Sequence, residues 1–213
     1  MEHQKSLGRA VSCQNVSDRK QNMKKLRYLA SGACLVLALN AAWATTVIPP
    51  TFDELVGKAE LIFQGSVTSI RSQWVGEGAE RHIASYVTFT VEDALKGAPG
   101  TSYTIQMLGG TVDGETMEVS ESPKFAVGDR DILFVEHNGQ QFVPLVGIMH
   151  GRFKIQREAQ TGREIVATNE GNRLTDPEQL GKQANPFLQA ASAISPVAFK
   201  EAIQVRLHKA QVK

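Results

Sequence analysis

The residues of this sequence that could do chemistry are few and widely spaced. Beyond residue 44 the histidines are His82, His137, His150 and His208. No two stand at i, i+2 or i, i+4, the spacings that aim two imidazoles at one metal ion, so no metal motif is legible. His82, Asp129 and His150 would make a hydrolase-like site only if the fold gathered them from distant segments, and that is the enzymatic alternative. Asp113, Glu115, Glu118 and Glu121 crowd a polar stretch but lack the ligand order and central glycine of an EF-hand loop. They predict a solvated acidic loop. Asp129 and Asp131 flank Arg130 at a turn and predict paired surface charges. No Gly-x-Ser-x-Gly elbow accompanies the serines. Gly76-Glu77-Gly78 stands alone in a polar linker, without the strand and helix that a phosphate-binding loop needs. The expectation is therefore a binding module with no catalytic residues, no metal and no cofactor.

The cysteines point to a compartment. Both of them, Cys13 and Cys34, precede residue 45, so the rest of the chain has no disulfide, thiol nucleophile or thiolate site. From Met23 the chain reads as a secretory signal peptide. Lys24, Lys25 and Arg27 form a basic start, Leu29 to Leu39 an apolar core, and Ala42-Trp43-Ala44 a cleavage site before Thr45. The apolar stretch is interrupted by Ser31, Gly32 and Asn40 and falls short of the ~20 residues that span a bilayer. Residues 1–22 are polar and without period, so Met23 is expected to be the true initiator and residues 1–22 an upstream mis-call, or else a disordered extension ahead of the signal. A periplasmic or secreted protein follows, with no stable membrane anchor after cleavage. Seven of the 23 basic residues and two of the 22 acidic ones precede Thr45, which leaves a net charge of −4 on the remainder, against +1 for the whole chain. That balance argues against a nucleic-acid surface; the expected partner is another envelope or secreted protein. Oligomeric state is left open.

The elements that must position any site are mostly strands. Pro49-Pro50 excludes a helix, and Thr51-Phe52-Asp53-Glu54 then fits a capping box that opens a short one ending near Lys58 or Ala59. Residues 61–97 read as a long curved hairpin: Phe63, Gly65 and Val67 alternate with polar residues, as do Val87, Phe89 and Val91. Tyr103, Ile105 and Met107 mark the next strand, and residues 111–124 a loop with a short strand around Met117 to Val119. Ile132-Leu133-Phe134-Val135 is the continuous apolar run of a strand buried on both faces. Asn138-Gly139 predicts a hairpin whose return strand is Gln141 to Val146, with Pro144 at an edge or bulge. Arg152 to Arg157 and Glu164 to Thr168 form a peripheral hairpin. Residues 169–186 are polar, and Ser195-Pro196 opens a C-terminal helix docked by Phe199 and Ile203. The sum is an all-β fold: a small Greek-key, OB-like barrel of about five to seven strands over residues 45–168, followed by a polar linker and helix over 169–213.

Several segments carry a resemblance: Phe52 to Val56, Ala59 to Val67, Val87 to Gly97, and Phe125 to Val135. In that order they resemble a family of exported bacterial proteins. More distantly they are similar to the netrin-like module of tissue inhibitors of metalloproteinases, over roughly residues 48–157. The shared fold motifs are Gly65 to Val67, Lys96-Gly97 and Gly128-Asp129. The resemblance implies an OB-fold barrel. It also implies a functional amino terminus, because those inhibitors begin Cys-Thr-Cys-Val-Pro-Pro and chelate the protease zinc through the terminal amine and first carbonyl. Here Thr46, Pro49 and Pro50 match, while Thr45 and Val47 replace the cysteines, so an inhibitor-like module is a minor alternative. A barrel of this kind binds across one strand face and its flanking loops, which nominates the loops at 72–82 and 109–124. The candidate contact residues are Thr45, Thr46, Trp74, Asp113, Glu115 and His150.

Overall fold

A strand whose residues are apolar without interruption must be covered on both sides, and one such strand anchors this molecule. The structure, a computed structural model, describes residues 49–159, 161–182 and 192–211. The expected extension and signal peptide, and the expected mature start with Thr45 and Thr46, lie outside the described residues. The strands are β1 (Leu61–Val75), β2 (His82–Lys96), β3 (Ser102–Leu108), β4 (Gly110–Val112), β5 (Glu115–Met117), β6 (Arg130–Val135), β7 (Arg152–Arg157) and β8 (Glu164–Thr168). The helices are α1 (Phe52–Lys58) and α2 (Pro196–Gln211). Six strands form one antiparallel sheet in the order β3-β2-β1-β6-β7-β8, and β4 and β5 make a separate hairpin.

β6 divides its side chains between two cores. Ile132 and Phe134 enter a helix-side core with Phe52, Leu55 and Val56 of α1 and Phe199 and Ile203 of α2. Leu133 and Val135 enter a second core with Phe63, Val67, Val87, Phe89, Ile105 and Met107. The expectation for this run is met, and period two is the reason. α1 has only seven residues and is too short to persist alone. Its capping box holds the first turn: the Thr51 hydroxyl accepts from the Glu54 N–H at 3.3 Å, and the Glu54 carboxylate accepts from the Thr51 N–H at 2.9 Å. Burial of its apolar stripe does the rest. α2 starts as expected, with the Ser195 hydroxyl accepting from the Ala198 N–H at 3.2 Å. The Phe199 ring meets Phe153 at 4.8 Å and Phe52 at 5.9 Å between centroids.

The second core is enclosed less regularly than expected. No closed barrel forms through the ladders of the described residues, and the Asn138-Gly139 turn does not lead into a return strand. Residues 138–146 instead run across the gap between β3 and β6. The Asn138 side-chain amide donates to the Thr104 carbonyl, and its oxygen accepts from the Gln106 N–H. The Leu108 N–H then donates to Phe142 O, and a single bridge joins Leu145 to Val135. Pro144 has no N–H to give a ladder, and Asn138 uses its side chain where a hairpin strand would use backbone. The gap is thus spanned by single bonds, and Val143 and Leu145 drop into the core beneath.

Candidate functional site

β1 and β2 outrun the rest of the sheet. β6 pairs with β1 only from Leu61 to Ser66, whereas β2 accompanies β1 to Val75. The extra half of the hairpin, Ser69–Val75 with His82–Val87, therefore extends past the end of β6, although Ile83, Ala84 and Val87 on β2 stay buried. A bulge at Thr68, between the pairs Val67–Phe89 and Ser69–Thr88, resets which residues face inward. Ile70, Ser72 and Trp74 then share the inner face with their partners Val87, Ser85 and Ile83.

The β4–β5 hairpin lies over that face. The Ser72 and Ser85 hydroxyls bond to each other at 2.8 Å, and Ser85 donates to the Gly109 carbonyl at 2.6 Å. A Cβ at Gly110 would collide with both hydroxyls, and its φ is +138°, so only glycine lets the chain cross so closely. The hairpin turns at Asp113-Gly114, with φ of 52° and 84°. Two central residues with positive φ make the tight turn that Asp-Gly favours. Asp-Gly was the signal for this hairpin, and the sequence reading, which put a lone strand near Met117, passed over it.

Hairpin, sheet and the following loop line a half-open pocket of about 140 Å³, with Ile70, Val87, Met107, Met117, Val119 and Phe125 on its apolar walls and Ser85, Glu118, Ser122 and Lys124 at its polar margin. That is close to the size of a pocket that holds one benzene ring, hence of one apolar side chain. Its far wall, residues 122–125, is fixed from beneath by Arg152. The Arg152 side chain is fully buried and lies 4.0 Å above the Phe125 ring. It donates to the Lys124 carbonyl at 2.6 Å, to both Asp131 oxygens at 3.0 Å and to Asp129 at 2.7 Å. The expectation of paired surface charges is corrected at Asp131, whereas Asp129 stays partly exposed. Asp131 has no exposure, because its position on β6 faces the second core beside Leu133. Burial pushes its carboxyl from 3.8 up to about 6, the Arg152 guanidinium offsetting only part of that rise.

Of the nominated contact residues, the structure brings the 72–82 and 109–124 regions together through Ser72, Ser85 and Gly110. Trp74 is half-buried and stacks with Arg81, whose guanidinium sits 4.1 Å from the ring centroid. Asp113 and Glu115 are exposed at the tip of the β4–β5 hairpin. His150 is half-buried, not in this group, on a 3-10 turn from Ile148 to Gly151. The His82 ring bonds to Glu80 O, His137 lies 3.3 Å from Glu60, and Asp129 is engaged by Arg152. No group of three or more His, Cys, Asp or Glu among the described residues could hold a metal ion. A larger cleft of about 1140 Å³ lies between α1, the end of β2 and α2. Two of its cations already serve the fold, Lys96 donating to the carbonyls of Val56 and Gly57 and Arg206 pairing with Asp53. No helix of the described residues is long and apolar enough to cross a membrane. In comparison with known proteins, the sequence matches no family model and no curated protein.

Proposed function

We propose that this protein is an exported, non-enzymatic interaction module with an open, OB-like barrel, working in the periplasm or beyond. The observation that carries the reading is the half-open, apolar-walled pocket of about 140 Å³ roofed by the β4–β5 hairpin. Its walls come from four separate segments, and of its polar wall residues the Ser85 hydroxyl is bonded to Ser72 and Gly109 while Lys124 pairs with Glu118. Such a pocket offers apolar contact and shape rather than acid–base chemistry. The path β1-β2-β3, across residues 138–146 to β6 and back to β1, supports the OB-like description. So does the distant similarity to the netrin-like module. The partner is a second envelope or secreted protein that inserts one apolar side chain between Ile70, Met107 and Met117.

The test is a cross-linking capture from the cell envelope, with the tag at the C-terminus and a variant in which a short Gly-Ser turn replaces residues 111–121. That hairpin is outside the six-stranded sheet, so the variant keeps its circular dichroism and cooperative melting. The expected result is one protein enriched by the natural chain and absent from the variant's eluate. Equal enrichment by both would place the contact elsewhere. No enriched protein would turn attention to a small ligand, or to the enzymatic alternative and a His150→Ala variant.

A further inference from the structure

The same projection that creates the cavity leaves a sheet edge open. In an antiparallel pair, one residue's N–H and C=O point to the same side, and successive residues alternate. The Gly109 N–H donates to Ile83 O, so Ile83 faces β3. Ser85 and Val87 face β3 with it. Their partners on β1 are Trp74, Ser72 and Ile70, which therefore aim their backbone groups away from β2. At Val67 that side is taken by residues 128–129, with the Val67 N–H on Asp129 O and the Gly128 N–H on Val67 O. Beyond the bulge no strand of the described residues pairs with it. Three donors and three acceptors, two residues apart, thus line an unpaired edge from Ile70 to Trp74. An edge of this kind is a template for another strand.

We propose that the occupant is a second copy of this chain, with β1 pairing antiparallel to itself about a two-fold axis through Ser72. The register argues for it. Centred on Ser72, it joins all three outward-facing residues to outward-facing residues. Ser72 meets Ser72 of the partner subunit, Ile70 meets the partner's Trp74, and Trp74 meets the partner's Ile70. Six hydrogen bonds form, and an aromatic stands opposite a β-branched residue twice, a favourable cross-strand pair. On the outer face Arg71 stands opposite the partner's Gln73, so the only charge in the segment meets an amide rather than a second arginine. A shift of one residue would turn half of the bonding groups inward, and centring on Arg71 would oppose like charges.

The pairing predicts a weak dimer, read by sedimentation equilibrium on the purified protein as recovered from cells expressing the full chain. No envelope partner is present, so the result is independent of the function proposed above. Gln73→Arg opposes two arginine pairs across the axis and weakens the dimer by roughly three- to thirty-fold, while Gln73→Glu supplies two opposite-charge pairs and tightens it by a similar factor. Both residues are exposed, so neither change touches the core. Ser72→Pro removes a donor aimed away from β2 together with the Ser72–Ser85 hydroxyl bond and abolishes the dimer, whereas Ser72→Ala removes the hydroxyl bond alone and leaves the dimer intact. A monomer at every soluble concentration would overturn the proposal, including one that captures an extended peptide instead. So would a dimer that responds in the same direction to both charges at position 73.

Discussion

Arg130 and Asp131 are neighbours on β6, and each pairs with opposite charge, yet water reaches only one of them. Arg130 continues the face of Ile132 and Phe134 past the end of the helix-side core, where its side chain is 36% exposed. It binds Glu92 at 2.8 Å and Glu164 at 2.6 Å. Asp131 continues the face of Leu133 and is sealed beneath residues 124–129 with Arg152. The consequences have opposite sign. The Arg130 guanidinium, with help from Ser66 and Gln64, holds the Glu92 carboxyl at about 2, well below its ordinary 4.5. Around Asp131 the same chemistry fails to repay the loss of water, and the carboxyl rises. An ion pair lowers the free energy of the fold where solvent still shares the charge. Where solvent is excluded, the pair serves mainly to keep each member from being alone.

The strongest way to break the comparison is to leave one buried member alone. Arg152→Ala strands Asp131 without a partner and frees the wall of the cavity at Lys124 and Phe125. We expect a loss of about 3–5 kcal/mol, the usual cost of orphaning a buried charge, measured by urea unfolding at neutral pH. The double change Arg152→Met with Asp131→Leu removes both charges and should recover most of that loss or exceed the natural stability. If the double variant is as weak as the single one, the pair is a net stabiliser and the contrast drawn here fails.

These two pairs also show where sequence reading reaches and where it stops. The strand pattern of β6, the capping box at Thr51 and the Ser195-Pro196 helix start were legible because each is written in residues three or four apart, within reach of local geometry. Strands β7 and β8 carried the same local alternation. Asp131 was not legible: Gly128-Asp129-Arg130-Asp131 reads as a polar turn, and its partner Arg152 is 21 residues away. Nothing local marks one acid of the turn as buried. The crossing of residues 138–146 was lost for the same reason, since Asn138 answers to the edge of β3 and not to its own neighbours. The site was half legible. The two loops at 72–82 and 109–124 were nominated as the loops flanking the binding face of a barrel, but the pocket between them is made by Ile70, Met107 and Met117, which read as ordinary strand residues.

The pH dependence sharpens the comparison next. Asp131 has a folded value above its unfolded one, so the folded state holds that proton more tightly. Its contribution is complete below about 4 and disappears as the pH rises through about 6. Glu92 has a folded value below its unfolded one, so its contribution is complete above about 4.5 and disappears as the pH falls towards about 2. Stability should therefore lean towards acid between pH 4 and 6 and fall off modestly again below about 4.5. Melting curves across this range check both arms. Asp131→Asn should flatten the slope between 4 and 6, and Glu92→Gln the slope beneath 4.5; a variant that flattens the wrong arm would reverse the assignment.

The smallest effect is expected at the exposed pair. Glu92→Gln keeps a hydrogen-bonding group beside Ser66 and Gln64 but removes the charge that Arg130 meets. Arg130 keeps Glu164, so no charge is stranded. The cost should be at most ~1 kcal/mol and should shrink with added salt, because water and ions already screen the pair. Salt should leave the penalty of Arg152→Ala unchanged, since ions do not enter the space around Asp131. The ratio of the two penalties, measured at low and high ionic strength, isolates solvent access as the variable. It should widen with salt, and a ratio that stays constant would mean the two faces of β6 are equally wet.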